Sequence, residues 1–139
     1  MAKHALQLED DFNFDLIGLC SHQSDYRVCW SVNEHLGLHL SKSLEPFMVS
    51  GKKGEVVSSH SLYEWYDENN AVEYFLIKNK YNTQFLIPEK SQIDYFLVIR
   101  EAGIVDVDDF LTKVKEISSI LTAFIFEPGD LKSGSKLIF

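Results

Sequence analysis

The hydrophobic and polar positions of the chain are organised around residues 87–99, which read Ile-Pro-Glu-Lys-Ser-Gln-Ile-Asp-Tyr-Phe-Leu-Val-Ile. An apolar run ends at Ile87, a hinge follows from Pro88 through Gln92, and a second apolar run starts at Ile93. This pattern predicts a strand, a turn and a strand. Pro88 has no N–H to give a ladder, so it ends the first strand or sits at its edge. In the second run Tyr95, Leu97 and Ile99 fall on one face, and Phe96 and Val98 on the other. A strand apolar on both faces is predicted to be central, with something packed on each side.

The rest of the chain reads outward from this strand. Residues 3–8 alternate polar and apolar, as a short strand does. Residues 12–20 fit a short helix or an apolar strand. Asp10 and Asp11 favour the helix, because negative charge suits a helix N-terminus, while Gly18 costs a helix about 1 kcal/mol relative to Ala. Residues 24–36 are a clearer helix, with Ser24 as N-cap, Asp25 in the first turn and Gly37 just past the end. Tyr26, Cys29, Trp30 and Asn33 recur at helical spacing, widened by Val28, Val32 and Leu36 into the predicted core stripe. From Leu38 the period changes to two. Leu38 and Leu40 alternate with His39 and Ser41, then residues 47–49 resume after Glu45-Pro46. Residues 50–54 make a turn. Residues 56–66 form one long strand, 67–70 a hairpin turn, 71–78 a strand, 79–82 a turn and 83–87 a strand. A second helix is predicted over 106–119, capped by Asp106 and carrying a Phe110, Val114, Ile117, Leu121 stripe. Residues 121–126 are a last strand before Pro128-Gly129. The predicted fold class is α+β. One twisted antiparallel sheet of five to seven strands, largely a meander over 38–101 plus 121–126, carries two main helices. Residues 1–139 form one domain, with 127–139 as a C-terminal tail whose Leu137-Ile138-Phe139 is expected to dock rather than hang free.

Ile87-Pro88-Glu89, three variable residues, then Ile93-Asp94-Tyr95 resembles the signature of the bacterial family named IPExxxVDY after this motif. Ile93 stands where the name has Val, a conservative change in a strand. Ser24-Asp25-Tyr26-Arg27-Val28-Cys29-Trp30, followed by Asn33 and Leu36, is similar to that family's N-terminal half. The resemblance implies a small bacterial cytoplasmic protein. It brings no activity, cofactor or catalytic residue with it.

Composition narrows the function classes. Of 139 residues 45% are hydrophobic and 13% aromatic, which suits a packed globular chain rather than a disordered one. The formal net charge is −8, which repels phosphate backbones and anionic membrane surfaces. The basic pairs Lys52-Lys53 and Lys113/Lys115 are too small to reverse that locally. Neither nucleic acid nor membrane is therefore an expected partner. The start, Met1-Ala2-Lys3-His4, lacks the pattern of a signal peptide, and no apolar run approaches the ~20 residues that cross a bilayer. Cys20 and Cys29 are then expected as free thiols in a reducing cytoplasm.

Candidate chemistry is sparse. Glu89 and Asp94 are carboxylates flanking one turn, and such pairs perform acid/base work when their pKa values are split. With no nucleophile or metal ligand partnered to them, hydrogen bonding within the turn is the simpler role, and Tyr95 reads as a packed residue with its hydroxyl at the sheet edge. Cys20, His22, Cys29, His35 and His39 have the elements of zinc ligands but not the spacing of a zinc module. On a helix Cys29 and His35 lie roughly 240° apart at 3.6 residues per turn, so they do not face one metal. Ser58-Ser59-His60-Ser61 lacks the sharp turn of a serine nucleophile. Gly51-Lys52-Lys53-Gly54 lacks phosphate-loop spacing, and no dinucleotide fingerprint occurs. No metal or other cofactor is expected.

Aromatics are the strongest remaining signal. Trp30, Tyr63, Trp65, Tyr66 and Tyr74 supply apolar area with a polar handle, the composition of binding surfaces, although 18 aromatics in 139 residues must mostly pack, so the core is their default place. Tyr66 and Asp67, at a strand end, are the surface candidates. Glu89, Asp94, Tyr95, Trp30, Tyr66 and Asp67 together make the candidate binding set, with no catalytic residue named. The sequence leans away from an enzyme. It points to an interaction or adaptor module that acts through a sheet edge or an aromatic surface, with an unidentified protein partner or as a homodimer. The alternative is a small-molecule-binding protein or enzyme with its pocket between sheet and helices.

Overall fold

The computed structural model describes residues 13–100 and 105–139. The predicted strand over 3–8, Asp10 and Asp11 lie outside the described residues. In chain order the elements are β1 (Asp15–Cys20), α1 (Asp25–Leu36), β2 (Ser41–Lys42), β3 (Phe47–Ser50), β4 (Val56–His60), β5 (Leu62–Asp67), β6 (Val72–Lys78), β7 (Lys80–Tyr81) and β8 (Gln84–Phe85). A 3-10 turn at Pro88–Lys90, β9 (Tyr95–Arg100), α2 (Val107–Lys115), β10 (Thr122–Phe126) and 3-10 turns at Pro128–Asp130 and Gly134–Leu137 complete the fold.

The fold is α+β. Its main sheet has six strands in the order β10-β1-β9-β6-β5-β2, every pair antiparallel. β9 is central, as its two apolar faces require. Tyr95, Leu97 and Ile99 join the core under the helices, beside Val28 and Val32 of α1 and Phe110 and Val114 of α2. Phe96 and Val98 join a second core on the opposite face, with Phe75, Ile77, Leu86, Ile87, Ile93 and Leu137. Fully buried side chains of this size contribute about 1.5–3 kcal/mol each, so β9 is a principal source of stability.

Several sequence expectations are corrected. Residues 12–20 contain a strand, β1, and not a helix. Leu16 enters the second core while Ile17 and Leu19 enter the first, so the run is buried on both faces between β9 and β10. Periodicity alone does not separate such a short apolar run from a helix. Gly18 now has a packing reason, since a Cβ there would lie 2.5 Å from the Phe126 ring. The single sheet is also corrected: two small sheets, β3-β4 and β7-β8, stand apart from the main one. The predicted strand over 56–66 breaks at Ser61 into β4 and β5, which belong to different sheets. No glycine or proline marks that break. The strand over 83–87 is only β8, turned back on β7 through Asn82 at φ 53. β9 then pairs directly with β6, and β1 inserts between β9 and β10, so the sheet is a meander only in part.

Helix details also differ. Ser24 occupies the N-cap position of α1 without a side-chain cap bond, and the Asp25 carboxylate takes the Tyr26 N–H instead. Gly37 ends α1 at φ 71, the left-handed conformation in which glycine carries no Cβ penalty. The buried side of α1 is Val28, Cys29 and Val32, and Tyr26 and Trp30 point away from it. Leu38 and Leu40 are buried but not in a strand. The Asn33 amide holds both the N–H and the C=O of Leu40, replacing a ladder partner. Asp106 caps α2 as predicted, but the helix ends at Lys115. Ile117 and Ile120 are buried beyond its end, while Leu121 is exposed.

The tail docks on its own chain. Leu137 is buried in the second core, and Phe139 packs edge-on against Phe75 and Phe47. The Arg100 guanidinium lies over the Phe75 and Phe139 rings, pairs with Glu73 and donates to the Phe139 carbonyl.

Candidate functional site

The 87–95 motif is held together by a residue that the sequence presented only as part of a turn. Asn79 is fully buried. Its amide nitrogen donates to the carbonyls of Lys90 (3.0 Å) and Ile93 (2.8 Å), and its amide oxygen accepts the Ile87 N–H at 2.9 Å. Its backbone N–H donates to Asp94 and its carbonyl accepts from Leu86. The loop from Leu86 to Asp94 is thus wrapped around one saturated amide. A signal was present in sequence, an asparagine at a strand end before a polar loop, but its partners lie 8 to 14 residues away.

The two motif carboxylates serve different neighbours. Asp94 Oδ2 accepts the Ser21 N–H at 2.8 Å, while the Asp94 N–H donates to Leu19. Glu89 accepts both the N–H (2.7 Å) and the hydroxyl (3.0 Å) of Ser133, tying the motif to the tail. Burial opposes ionisation of Glu89, but the Ser133 hydrogen bonds and the Lys136 charge outweigh it and hold the carboxyl below its ordinary 4.5. Tyr95 is buried and its hydroxyl donates to the Gln23 carbonyl at 2.7 Å. Burial, with the Asp25 and Asp94 charges, pushes the phenol well up, so it stays a donor.

These bonds converge on the loop that leads into α1. Asp94 holds Ser21, whose hydroxyl donates to Ser119 at 2.7 Å and accepts the Gln23 N–H, while Tyr95 holds Gln23. The motif therefore fixes where α1 begins. On the outer side of that helix, Gln23, Tyr26, Arg27, Trp30, Ser31 and Ser119 line an open groove of about 370 Å³. Tyr26 is 67% and Trp30 60% exposed. The Arg27 side chain, also exposed, makes no hydrogen bond or ion pair among the described residues. Tyr26 and Arg27 belong to this groove, and their i, i+4 and i, i+3 relation to Trp30 was the sequence signal.

Of the other sequence candidates, Tyr66 is exposed beside a small hollow lined by Glu64, Trp65, Glu73 and Phe75. Asp67 caps its own hairpin, accepting from the backbone of Asn69 and from Asn70. Trp65 is packed, with its ring against Tyr74 and His39. Trp30, Tyr66 with Asp67, and the Glu89/Asp94/Tyr95 group thus occupy three separate places. The space between helices and sheet is filled by side chains of the first core.

Cys29 is buried, and burial with the Asp25 charge pushes its thiol up to about 11. His35 faces outward and pairs with Glu116 at 3.2 Å. Among the described residues no three side chains of metal-ligating type cluster together. Ser58 and His60 do meet. His60 Nδ1 lies 2.9 Å from the Lys78 carbonyl, which only accepts, so Nδ1 carries the proton and Nε2 accepts from the Ser58 hydroxyl at 2.8 Å. Both residues are buried, which denies a substrate access to the pair and makes it a core contact.

No protein-family model matches the chain, and no curated protein matches it. No helix among the described residues is long and apolar enough to cross a membrane.

The motif is expected to act through structure. Asp94→Ala leaves the buried Ser21 N–H unpaired and should cost about 1–3 kcal/mol in chemical denaturation. An unchanged midpoint would contradict this role. His60 adds a pH dependence. Burial, reinforced by Lys136, holds its pKa below the ordinary 6.5 against the opposing Lys78 and Asn79 carbonyls. The unfolded chain therefore binds the proton first. The stability due to a neutral His60 is complete above pH 6.5 and is lost as pH falls through the lower folded value. Melting temperatures measured from pH 7.5 to 5 should fall for the parent and fall less for His60→Gln. Equal slopes would show that His60 is not the responsible group.

Proposed function

We propose that the protein is a non-enzymatic interaction module that docks a protein segment on the outer face of α1. The observation that carries this reading is the juxtaposition of two exposed aromatics, Tyr26 and Trp30, with the unpaired Arg27 around one groove. Trp, Tyr and Arg are the residues that dominate binding energy at interfaces, because they combine large contact area with directed polar groups. Leaving them on a helix whose opposite side already fills the core is consistent with a recognition role. The segment that fits carries an apolar side chain for the Trp30 surface and a carboxylate for Arg27. A few carboxylates suit the groove better than a long acidic run, since the chain's net charge of −8 repels the latter.

The resemblance of the 87–95 motif supports placing the chain with the IPExxxVDY proteins of bacteria. In this reading the motif is the scaffold and the groove is the working surface. A cytoplasmic location is supported by two free cysteines, Cys20 and Cys29.

Selection from a random peptide display library tests the proposal. Recovered peptides should share an apolar residue near an Asp or Glu. Trp30→Ala or Arg27→Ala should weaken their binding about tenfold or more, the size of a single hot-spot loss, with unchanged melting temperature. Binders indifferent to both substitutions would refute it, as would failure to recover binders with protein that sedimentation shows to be monomeric.

A further inference from the structure

The two ends of the main sheet are finished differently. The β2 edge is two residues long, both polar and exposed, with Lys42 on it. Short, charged edges of this kind resist pairing with another strand. The β10 edge is the reverse. Thr122–Phe126 reads Thr-Ala-Phe-Ile-Phe, with no charge and no proline. Among the described residues it pairs only with β1. Leu121 is 60%, Phe124 45% and Ile125 37% exposed. Ile125 stands opposite Ile17 on the helix-bearing face and Phe124 opposite Gly18 on the other, so both faces of the edge offer apolar surface.

Unpaired charges mark the two ends of this strand. Before it, Ser119 lines the α1 groove with Arg27, which has no acceptor among the described residues. After it come Glu127 and Asp130, both exposed and neither in an ion pair among the described residues. An antiparallel strand laid against β10 places its C-terminal end beside the N-terminal end of β10. If that strand is another β10, each copy's Glu127 and Asp130 arrive at the other's Arg27 groove. The contact is then made twice about a two-fold axis, as a self-complementary interface requires.

We propose that the partner of the α1 groove is a second copy of this chain, joined through antiparallel pairing of the two β10 edges into one continuous sheet across the dimer. The inference rests on the groove reading given above and names its occupant. Backbone pairing and the Leu121, Phe124 and Ile125 side chains supply the shared surface. Arg27 against Glu127 and Asp130 fixes the antiparallel orientation, since a parallel arrangement would set like charges together.

Sedimentation equilibrium of the full chain, from micromolar to millimolar, should give twice the 16.0 kDa chain mass. Ile125→Lys places a charge on the shared edge at an exposed position, and should shift the population to monomer with an unchanged circular dichroism spectrum. Arg27→Glu alone, and Glu127→Arg with Asp130→Arg, should each weaken the dimer about tenfold or more, because each change is felt at two equivalent contacts. Combining all three substitutions should restore association to near the parent level. A monomer throughout the concentration range overturns the proposal, as does a dimer unaffected by Ile125→Lys or by the charge reversals. A monomer that still binds selected peptides in a Trp30-dependent way would overturn this inference alone and leave the groove's role as an interaction surface standing.

Discussion

β9 has no face that tolerates water, and the rest of the structure answers that constraint. With Phe96, Leu97, Val98 and Ile99 wholly buried, both sides of the main sheet must be covered. α1 and α2 cover one side through Val28, Val32, Phe110 and Val114. Among the described residues no third α-helix covers the other. That side is closed by smaller pieces: Phe47 and Val49 from β3, Leu86 and Ile87 from the loop before β9, and Leu131 and Leu137 from the tail. Small pieces bury little area each and gain stability chiefly by being pinned together. This accounts for the concentration of side-chain hydrogen bonds there: Glu89 to Ser133, Lys136 to Leu86, and Arg100 to the last residue.

Asn79 is the pin for the loop that leads into β9. A buried amide is costly unless every donor and acceptor is used, and this one uses both donors and its oxygen. The loop is therefore held in one arrangement, and the order reaches further along the chain. Asp94 and Tyr95 hold Ser21 and Gln23, and those residues set the start of α1. The chain of causes runs from an apolar strand, through a saturated amide, to the position of Tyr26, Arg27 and Trp30 on the molecular surface.

What was legible in the sequence followed from local rules. β9 showed its double-faced run, Gly37 ended α1, Asp106 capped α2, and Asp67 opened a hairpin. What was not legible depended on distant partners. β1 looked as much like a helix as a strand because the neighbours that bury it, β9 and β10, lie far along the chain. The bend at Ser61 left no mark because no Gly or Pro stands there and Ser58 to Ser61 are uniformly polar, with His60 turned inward to bond Ser58 and Lys78. The α1 stripe was misassigned for a related reason. Tyr26 and Trp30 are as apolar as core residues, and only the helix rotation set by the Ser21–Gln23 loop shows that they face out. Glu89 and Asp94 flank one turn, but their carboxylates part company, one taken by Ser133 of the tail and the other by Ser21 in the loop after β1.

The central claim is that the 87–95 motif is a joint of the core, knotted on Asn79, and not a loop free to rearrange around a ligand. Native-state hydrogen exchange measures this most directly. The amides of Ile87, Asp94 and Ser21, bonded to Asn79, Leu19 and Asp94, should exchange only through global unfolding, with the same free energy as Leu97 in β9. Exchange of Ile87 and Asp94 through a local opening, at a free energy well below that of Leu97, would contradict the account.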